Sequence, residues 1–112
     1  MREAPPVFLV WATFPDLECA RRICRTLVEE RLAACVNLIP QLESIYTWNE
    51  KLEMTSEVGA WIKSTPGRYP ELEARYRALH PYEVPALVAI SVESGLPEYL
   101  RWVAASCDSI AD

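Results

Sequence analysis

Residues 80–85 bring three chemically active side chains into one short stretch. The imidazole of His80, the phenol of Tyr82 and the carboxylate of Glu83 stand among prolines at positions 81 and 85. Proline restricts the backbone and so lowers the entropy lost when a loop is ordered. Pre-ordered polar groups beside a strand suit a binding site. The segment therefore indicates a binding site, and the alternative is a rigid connector in which His80 caps the preceding helix.

Cys35, Glu57 and Lys63 are the other candidates for chemistry. The thiolate of Cys35 would be a soft metal ligand, whereas burial as an inert thiol is the commoner state of a free cysteine. Glu57 and Lys63 lie six residues apart, which places both on one face of an extended strand. This arrangement fits the wall of a cleft, and it fits a solvated sheet face equally well.

The sequence lacks the motifs of the common catalytic classes. Its three glycines form no phosphate-binding loop, and no GxSxG motif is present. We therefore predict that the protein is not an enzyme. An enzyme that uses His80 with Tyr82 or Glu83 as acid and base is a weaker alternative, because no nucleophile or cofactor motif accompanies them.

The composition is that of one globular domain. The 112 residues are 51% hydrophobic and 24% charged, so residues 1–112 are assigned to a single domain with loose ends at 1–6 and 108–112. A net charge of -5 argues against nucleic-acid and anionic-membrane partners. The four cysteines form no CxxC pair, which favours reduced thiols and a cytoplasmic location.

The elements that would position the candidate residues alternate between strands and helices. Period-two and apolar runs predict strands at residues 7–13, 35–46, 52–63 and 86–93, and three-four spacing predicts helices at 17–31, 70–80 and 96–107. Asp16 is the expected N-cap of the first helix. Pro81 should end the second helix at His80. This order predicts an α+β, ferredoxin-like βαββαβ sandwich with an extra C-terminal helix.

The two middle strands would form a very long antiparallel hairpin with a polar tip at residues 47–51. A compact chain of this size has a radius of gyration of roughly 13 Å, whereas one arm alone reaches roughly 36 Å. Such arms leave strand edges and aromatic surface that one domain cannot cover. We therefore predict self-association through the hairpin. The alternative is that Pro40 divides the first arm into two ordinary strands.

Several segments together resemble the CutA divalent-cation tolerance family. In the order of the family they are LAACVNLIP at 32–40, SIY at 44–46 with Trp48 and Lys51, SEV at 56–58 with IK at 62–63, HPYEVP at 80–85, and YL at 99–100 with Trp102. The resemblance implies a ferredoxin-like protomer, a homotrimer built by long shared strands, and binding of divalent copper. It also implies an assembly like that of the trimeric PII signalling proteins, which hold small ligands between subunits.

Only some of the copper ligands that the resemblance leads us to expect are present in this sequence. A cysteine near the first strand and a histidine pair before the Pro-Tyr step are the family's expected ligands, and this sequence has Ala12 and Leu79-His80 there. Cys35 matches another cysteine of the pattern, so His80 and Cys35 are the expected metal ligands. Copper takes three or four nitrogen or sulfur donors. A copper site would therefore be weak or shared between subunits.

The favoured hypothesis is a non-enzymatic, cytoplasmic homotrimer involved in tolerance of divalent metal ions. Its inter-subunit cleft would bind a metal ion or a small anion. Together with His80, the residues expected to line this cleft are Trp48, Glu57, Lys63, Tyr82 and Glu83. The alternative is a PII-like signalling protein or an interaction scaffold with no physiological metal.

Overall fold

The computed structural model describes residues 4–108. The elements in this range are β1 (Phe8–Phe14), α1 (Leu17–Glu29), β2 (Cys35–Trp48), β3 (Lys51–Ser64), α2 (Tyr69–Leu79), β4 (Leu87–Ser91) and α3 (Pro97–Ser106). The strands form one antiparallel sheet in the order β2-β3-β1-β4. The α+β, ferredoxin-like arrangement with an additional C-terminal helix is confirmed. None of the helices in residues 4–108 is both long and apolar enough to cross a membrane.

The main core lies between one face of the sheet and the first two helices. Alternate residues of β1 and β3 point into it, as the period of two requires, and α1 adds the fully buried Ile23 and Leu27. The strand residues of this core are Val10, Ala12, Phe14, Val58, Ala60 and Ile62. A second cluster of Val7, Leu100 and Val103 holds α3, and Ala4 packs against it. Residues 1–3 and 109–112 of the predicted loose ends lie outside the described residues.

Helix α1 begins as predicted and ends earlier. The Asp16 carboxylate accepts a hydrogen bond of 2.8 Å from the amide of Cys19, which confirms the N-cap. The helix stops at Glu29, before the predicted end at residue 31. The reason is that Arg31 adopts a left-handed conformation with φ of 61°, and such a residue terminates a helix and redirects the chain.

Strands β2 and β3 form one hairpin with arms of 14 residues each. Each arm is about 46 Å long, and the chain measures 52 × 31 × 22 Å, so the hairpin defines its long axis. The turn is only Asn49-Glu50, with φ of 52° and 65°, as in a type I′ turn. The predicted tip at 47–51 is wrong, because Trp48 pairs with Lys51 across the hairpin.

Pro40 does not divide the first arm, so that alternative is wrong. The pairing of β2 with β3 shifts register between Ile39 and Leu42, which places Pro40 in a β-bulge. A bulge accommodates the missing amide donor of proline while the strand continues.

The sheet face opposite the main core carries Trp11 and Trp61. These residues are cross-strand partners whose ring centroids lie 4.7 Å apart. Gly59 lies on β3 beneath the Trp11 ring. A Cβ atom at this position would be 2.5 Å from Cη2 of Trp11 and 2.7 Å from Cδ2 of Leu42. A side chain at position 59 would therefore force the Trp11 ring and the Leu42 methyl group to move.

We expect Gly59→Ala to lower the free energy of unfolding by about 1–3 kcal/mol, because a well-packed site must shift to admit the methyl group. Urea denaturation at fixed protein concentration measures the change. Gly67→Ala is the matched control, since a Cβ there meets nothing within 4 Å, and we expect it to stay within about 0.5 kcal/mol of wild type. Equal midpoints for both variants would contradict tight packing at Gly59.

Candidate functional site

A cleft of about 490 Å³ lies between the outer half of the hairpin and the loop that follows α2. This volume is within the range of roughly 300–1,000 Å³ that is typical of small-molecule sites. The hairpin contributes alternate residues of β2 and one residue of β3, and the loop contributes the remainder. The lining residues are Tyr46, Trp48, Glu57, Pro81, Tyr82, Glu83, Val84 and Ala86.

Glu57 lines the cleft as a buried carboxylate. Its two oxygens accept hydrogen bonds from the hydroxyls of Ser44 (2.6 Å) and Tyr82 (2.8 Å). The residue is only 9% exposed, and none of the ion pairs within residues 4–108 includes it. Accepting two bonds and donating none is the behaviour of an ionised carboxylate. Glu57 therefore brings an unneutralised negative charge to the cleft.

Tyr82 connects the loop to the sheet. Burial, followed by the hydrogen bond to Glu57, raises the pKa of the Tyr82 phenol above its ordinary value. The phenol therefore keeps its proton at neutral pH, and its hydroxyl donates a hydrogen bond to the carboxylate. Hydrogen bonds to charged groups are the stronger ones in proteins, so this contact ties the α2–β4 loop to β3.

His80 supports the loop from behind. Its Nε2 lies 2.8 Å from the carbonyl oxygen of Thr13, and its Nδ1 accepts the amide hydrogen of Tyr82 at 3.1 Å. Because a carbonyl cannot donate, Nε2 carries the proton and the ring is neutral. The ring stacks on Phe14 and is 7% exposed. Burial lowers the pKa of His80, in agreement with the neutral form.

His80 is therefore a positioning residue and is not part of the cleft wall. Pro81 does end α2 at Leu79, with His80 extended as its C-cap residue, as predicted. The hydroxyl of Tyr76 lies 2.6 Å from the carbonyl oxygen of Ala86 and 3.3 Å from that of Thr13. His80 and Tyr76 thus both contact the carbonyl oxygen of Thr13. Together these two side chains hold both ends of the loop against β1.

Lys63 and Cys35 form a separate cluster. The Lys63 ammonium contacts the side-chain oxygen of Asn37 and lies 3.7 Å from Cys35 Sγ. Lys63 is six residues from Glu57 on β3, or about 20 Å along the strand. The structure therefore places Lys63 outside the cleft of its own protomer. Its predicted role in a site between subunits stays a prediction.

The donors expected for copper do not meet within one protomer. Cys35 pairs with Lys63 on β3, which pairs in turn with Leu9 near the start of β1. His80 instead contacts Thr13 near the end of β1, about 13 Å farther along that strand. Both nitrogens of His80 are already engaged. Within residues 4–108, no group of three or more His, Cys, Asp or Glu side chains could hold a metal ion. The assignment of copper to His80 and Cys35 stays a prediction that requires donors from another subunit and a change at His80.

Ala12, where the resemblance expects a cysteine, points into the core and is fully buried. The four cysteines are free, and Cys19, Cys24 and Cys107 are buried while Cys35 is partly exposed. The expectation of mostly buried cysteines is therefore confirmed, and the reduced state of their thiols stays a prediction.

Sequence reasoning missed Ser44 and Tyr46 as residues of this site. A usable signal was present, because positions 44, 46 and 48 share one face of a strand, and Trp48 was already a candidate. The contribution of Thr13 could not have been found in this way. Its carbonyl oxygen is a backbone group, and His80 reaches it across 67 residues of sequence.

Comparison with known proteins gives a consistent family match. Residues 8–106 match the family described as CutA1 divalent ion tolerance protein. The chain is 46% identical over 95 residues to the divalent-cation tolerance protein CutA of Thermus thermophilus, covering 85% of this chain and 92% of that protein. It is 45% identical over 106 residues to mouse protein CutA, covering 95% of this chain. The chain spans about 60% of the length of the mouse and human proteins.

Solved structures agree with this match. The divalent cation tolerance protein (Cut A1) from Thermus thermophilus superposes with a TM-score of 0.89 at 43% identity, covering 91% of this chain and 99% of that one. CutA1 from Oryza sativa gives a TM-score of 0.91 at 32% identity, covering 96% and 98%.

The buried His80 should make stability depend on pH. Because its pKa is lowered in the folded state, the unfolded chain binds a proton first as pH falls below about 6.5. We expect the urea midpoint of the wild type to decrease as the pH is lowered from about 7 to about 5. The decrease should be smaller in His80→Gln. His80 is the only histidine in the chain, so an imidazole signal in NMR titration reports it directly. An identical pH slope in both proteins would contradict this role.

Proposed function

The chain belongs to the CutA1 family of divalent ion tolerance proteins, and on that premise we propose that it acts as a non-enzymatic homotrimer with one ligand cleft on each subunit. The observation that carries the proposal is the length of the hairpin, whose outer half extends past the helices that cover its inner half. The number of subunits follows from the family resemblance of the sequence.

The outer hairpin presents an apolar surface that supports assembly. Ile45 and Met54 are cross-strand partners, and Leu52 lies two residues from Met54 on the same face. We call these three residues the hairpin patch; they are 62%, 59% and 71% exposed, respectively. Contiguous apolar surface of this kind marks an interaction site in soluble proteins. In a closed ring each hairpin patch would be covered by a neighbouring copy.

The open face of the sheet offers a second apolar surface. Ile39, Val88 and Ile90 are each at least one-third exposed, and they flank the Trp11–Trp61 pair. A sheet with one uncovered apolar face is completed by packing against another layer. Three copies packed through these faces would bury both surfaces.

The geometry of the cleft supports binding over catalysis. His80 would be the natural general base, but both of its nitrogens are engaged, and the hydroxyl hydrogen of Tyr82 is engaged in its hydrogen bond to Glu57. The remaining lining groups are a second carboxylate and aromatic or apolar side chains. No nucleophile stands beside a base among these lining residues, which is the arrangement that covalent catalysis needs.

The charge of the cleft favours a cation over the small anion that the sequence had also allowed. Glu57 and Glu83 line the cleft, and its lining residues include neither lysine nor arginine. Bringing an anion beside an unneutralised buried carboxylate is unfavourable. The cleft would therefore recognise positive charge, in keeping with a family named for divalent-cation tolerance.

The free cysteines support the cytoplasm as the location, because thiols persist there in reduced form. Copper remains the metal implied by the resemblance, with its donors contributed by more than one subunit. The alternative of a PII-like signalling protein, in which the trimer responds to a small ligand, is compatible with the same cleft.

Sedimentation velocity over a dilution series tests the assembly. We expect a mass of three times the protomer's 12.7 kDa, and we expect the double variant Leu52→Glu/Met54→Glu to shift the protein toward protomers, because it places charges on the hairpin patch. Leu96→Glu is the matched control, since Leu96 is 67% exposed but lies outside the hairpin. A wild-type protein that sediments as a stable protomer would contradict the proposed homotrimer.

Copper titration tests the ligands that the resemblance implies. Because both nitrogens of His80 make hydrogen bonds within the protomer, we expect His80→Ala to keep copper affinity within about threefold of wild type. Cys35→Ser is compared in parallel, with circular dichroism to verify folding. Competition with a coloured chelator measures the affinities. A loss of about tenfold or more in folded, trimeric His80→Ala would instead assign His80 as a ligand.

A further inference from the structure

The walls of the cleft are largely aromatic and apolar. Tyr46, Trp48 and Tyr82 supply three rings, and Pro81, Val84 and Ala86 supply apolar surface. Tyr46 and Trp48 lie two residues apart on one face of β2, and both keep about two-fifths of their surface exposed. The face of an aromatic ring attracts a cation through its quadrupole, and trimethylammonium groups are bound in this way.

Glu57 adds a negative charge beside the ring of Tyr82, whose hydroxyl donates a hydrogen bond to it. Glu57 accepts one hydrogen bond at each oxygen, from Ser44 and from Tyr82, which leaves further lone pairs on both oxygens. Its immobile position follows from those two bonds and from its burial. A ligand cation would meet a preorganised charge and would not have to order a flexible side chain.

These walls suit an organic cation better than a metal ion. Hard divalent ions take about six to eight oxygen ligands, whereas the lining carries two carboxylates and the hydroxyls of Tyr46 and Tyr82. The volume of about 490 Å³ is also far larger than one ion. A metal ion would keep its hydration water against the apolar walls. An alkylated ammonium ion is weakly hydrated and would fill the cleft and contact these walls.

From these features we infer that the cleft binds an organic ammonium ion with an apolar body. The nitrogen lies near Glu57 and the ring of Tyr82, and the apolar part lies against the other walls of the cleft, which include Tyr46, Val84 and Ala86. The inference rests on the proposed function, in which the cleft binds a cation, and it names the chemical class of that cation.

Calorimetric titration of the assembled protein with choline chloride tests this class. Its neutral isostere, 3,3-dimethylbutan-1-ol, has the same shape without the charge. We expect choline to saturate at one per protomer with a dissociation constant at or below about 1 mM, and the isostere to bind at least about tenfold more weakly. Equal binding of the two probes would overturn the inference, because the cleft would then recognise shape alone.

Variants locate the site. Glu57→Gln keeps the shape of the side chain and removes its charge, so we expect about tenfold weaker choline binding with no change for the isostere. Glu43→Gln is the matched control, because Glu43 is an exposed carboxylate on the opposite face of β2, and we expect it to bind like wild type.

Manganese chloride is the competing probe. Suppose that manganese binds to wild type and binds more weakly to Glu57→Gln, while choline does not bind at about 50 mM. The cleft is then a metal site and the inference is overturned. That result in a trimeric protein leaves the proposed assembly intact. A protein that does not assemble contradicts the proposed function instead, so the two failures are distinguishable.

Discussion

The hairpin formed by β2 and β3 is longer than the core it is attached to, and most of the remaining structure depends on this. The inner halves of its arms lie in a sheet that α1 and α2 cover, so their apolar residues are buried. The outer halves are held mainly by the pairing of one arm with the other. Side chains that would belong to a core therefore stand in solvent on one face, and the other face forms a wall of the cleft.

A chain of hydrogen bonds joins this outer hairpin to the compact part of the molecule. Ser44 and Tyr82 bond to Glu57, the Tyr82 amide bonds to His80, and His80 bonds to the Thr13 carbonyl on β1. Each of these residues takes part in one or two of the hydrogen bonds. The single histidine thus stabilises the loop that carries most of the cleft-lining residues, and its burial explains why it is neutral.

The charge pattern separates the two polar clusters of the sheet. One combines Lys63, Asn37 and Cys35 near the start of β2, and its positive charge is partnered locally. The other combines Glu57 and Glu83 with aromatic rings, and no cation from its own lining neutralises it. The second cluster is therefore the one that would attract the cation that we propose as the ligand.

The order of strands and helices, the N-cap at Asp16 and the end of α2 at His80 could be predicted from the sequence. Each depends on local physics: hydrophobic period, side-chain capping and the steric effect of proline on its neighbour. The two-residue turn was missed because Glu50 adopts positive φ without the glycine that usually signals it. The bulge at Pro40 could not be fixed from the sequence, because proline in a strand is compatible with a bulge and with the end of the strand.

The composition of the site was decided by tertiary structure. The period of two correctly placed Glu57 and Lys63 on one face, but only the packing of the α2–β4 loop beside the outer hairpin selected Glu57 for the cleft and left Lys63 with Cys35. The sequence by itself determined which residues share a face. Which distant groups meet there depended on loop packing, because contacts such as that of His80 with Thr13 join parts of the chain that no local pattern connects.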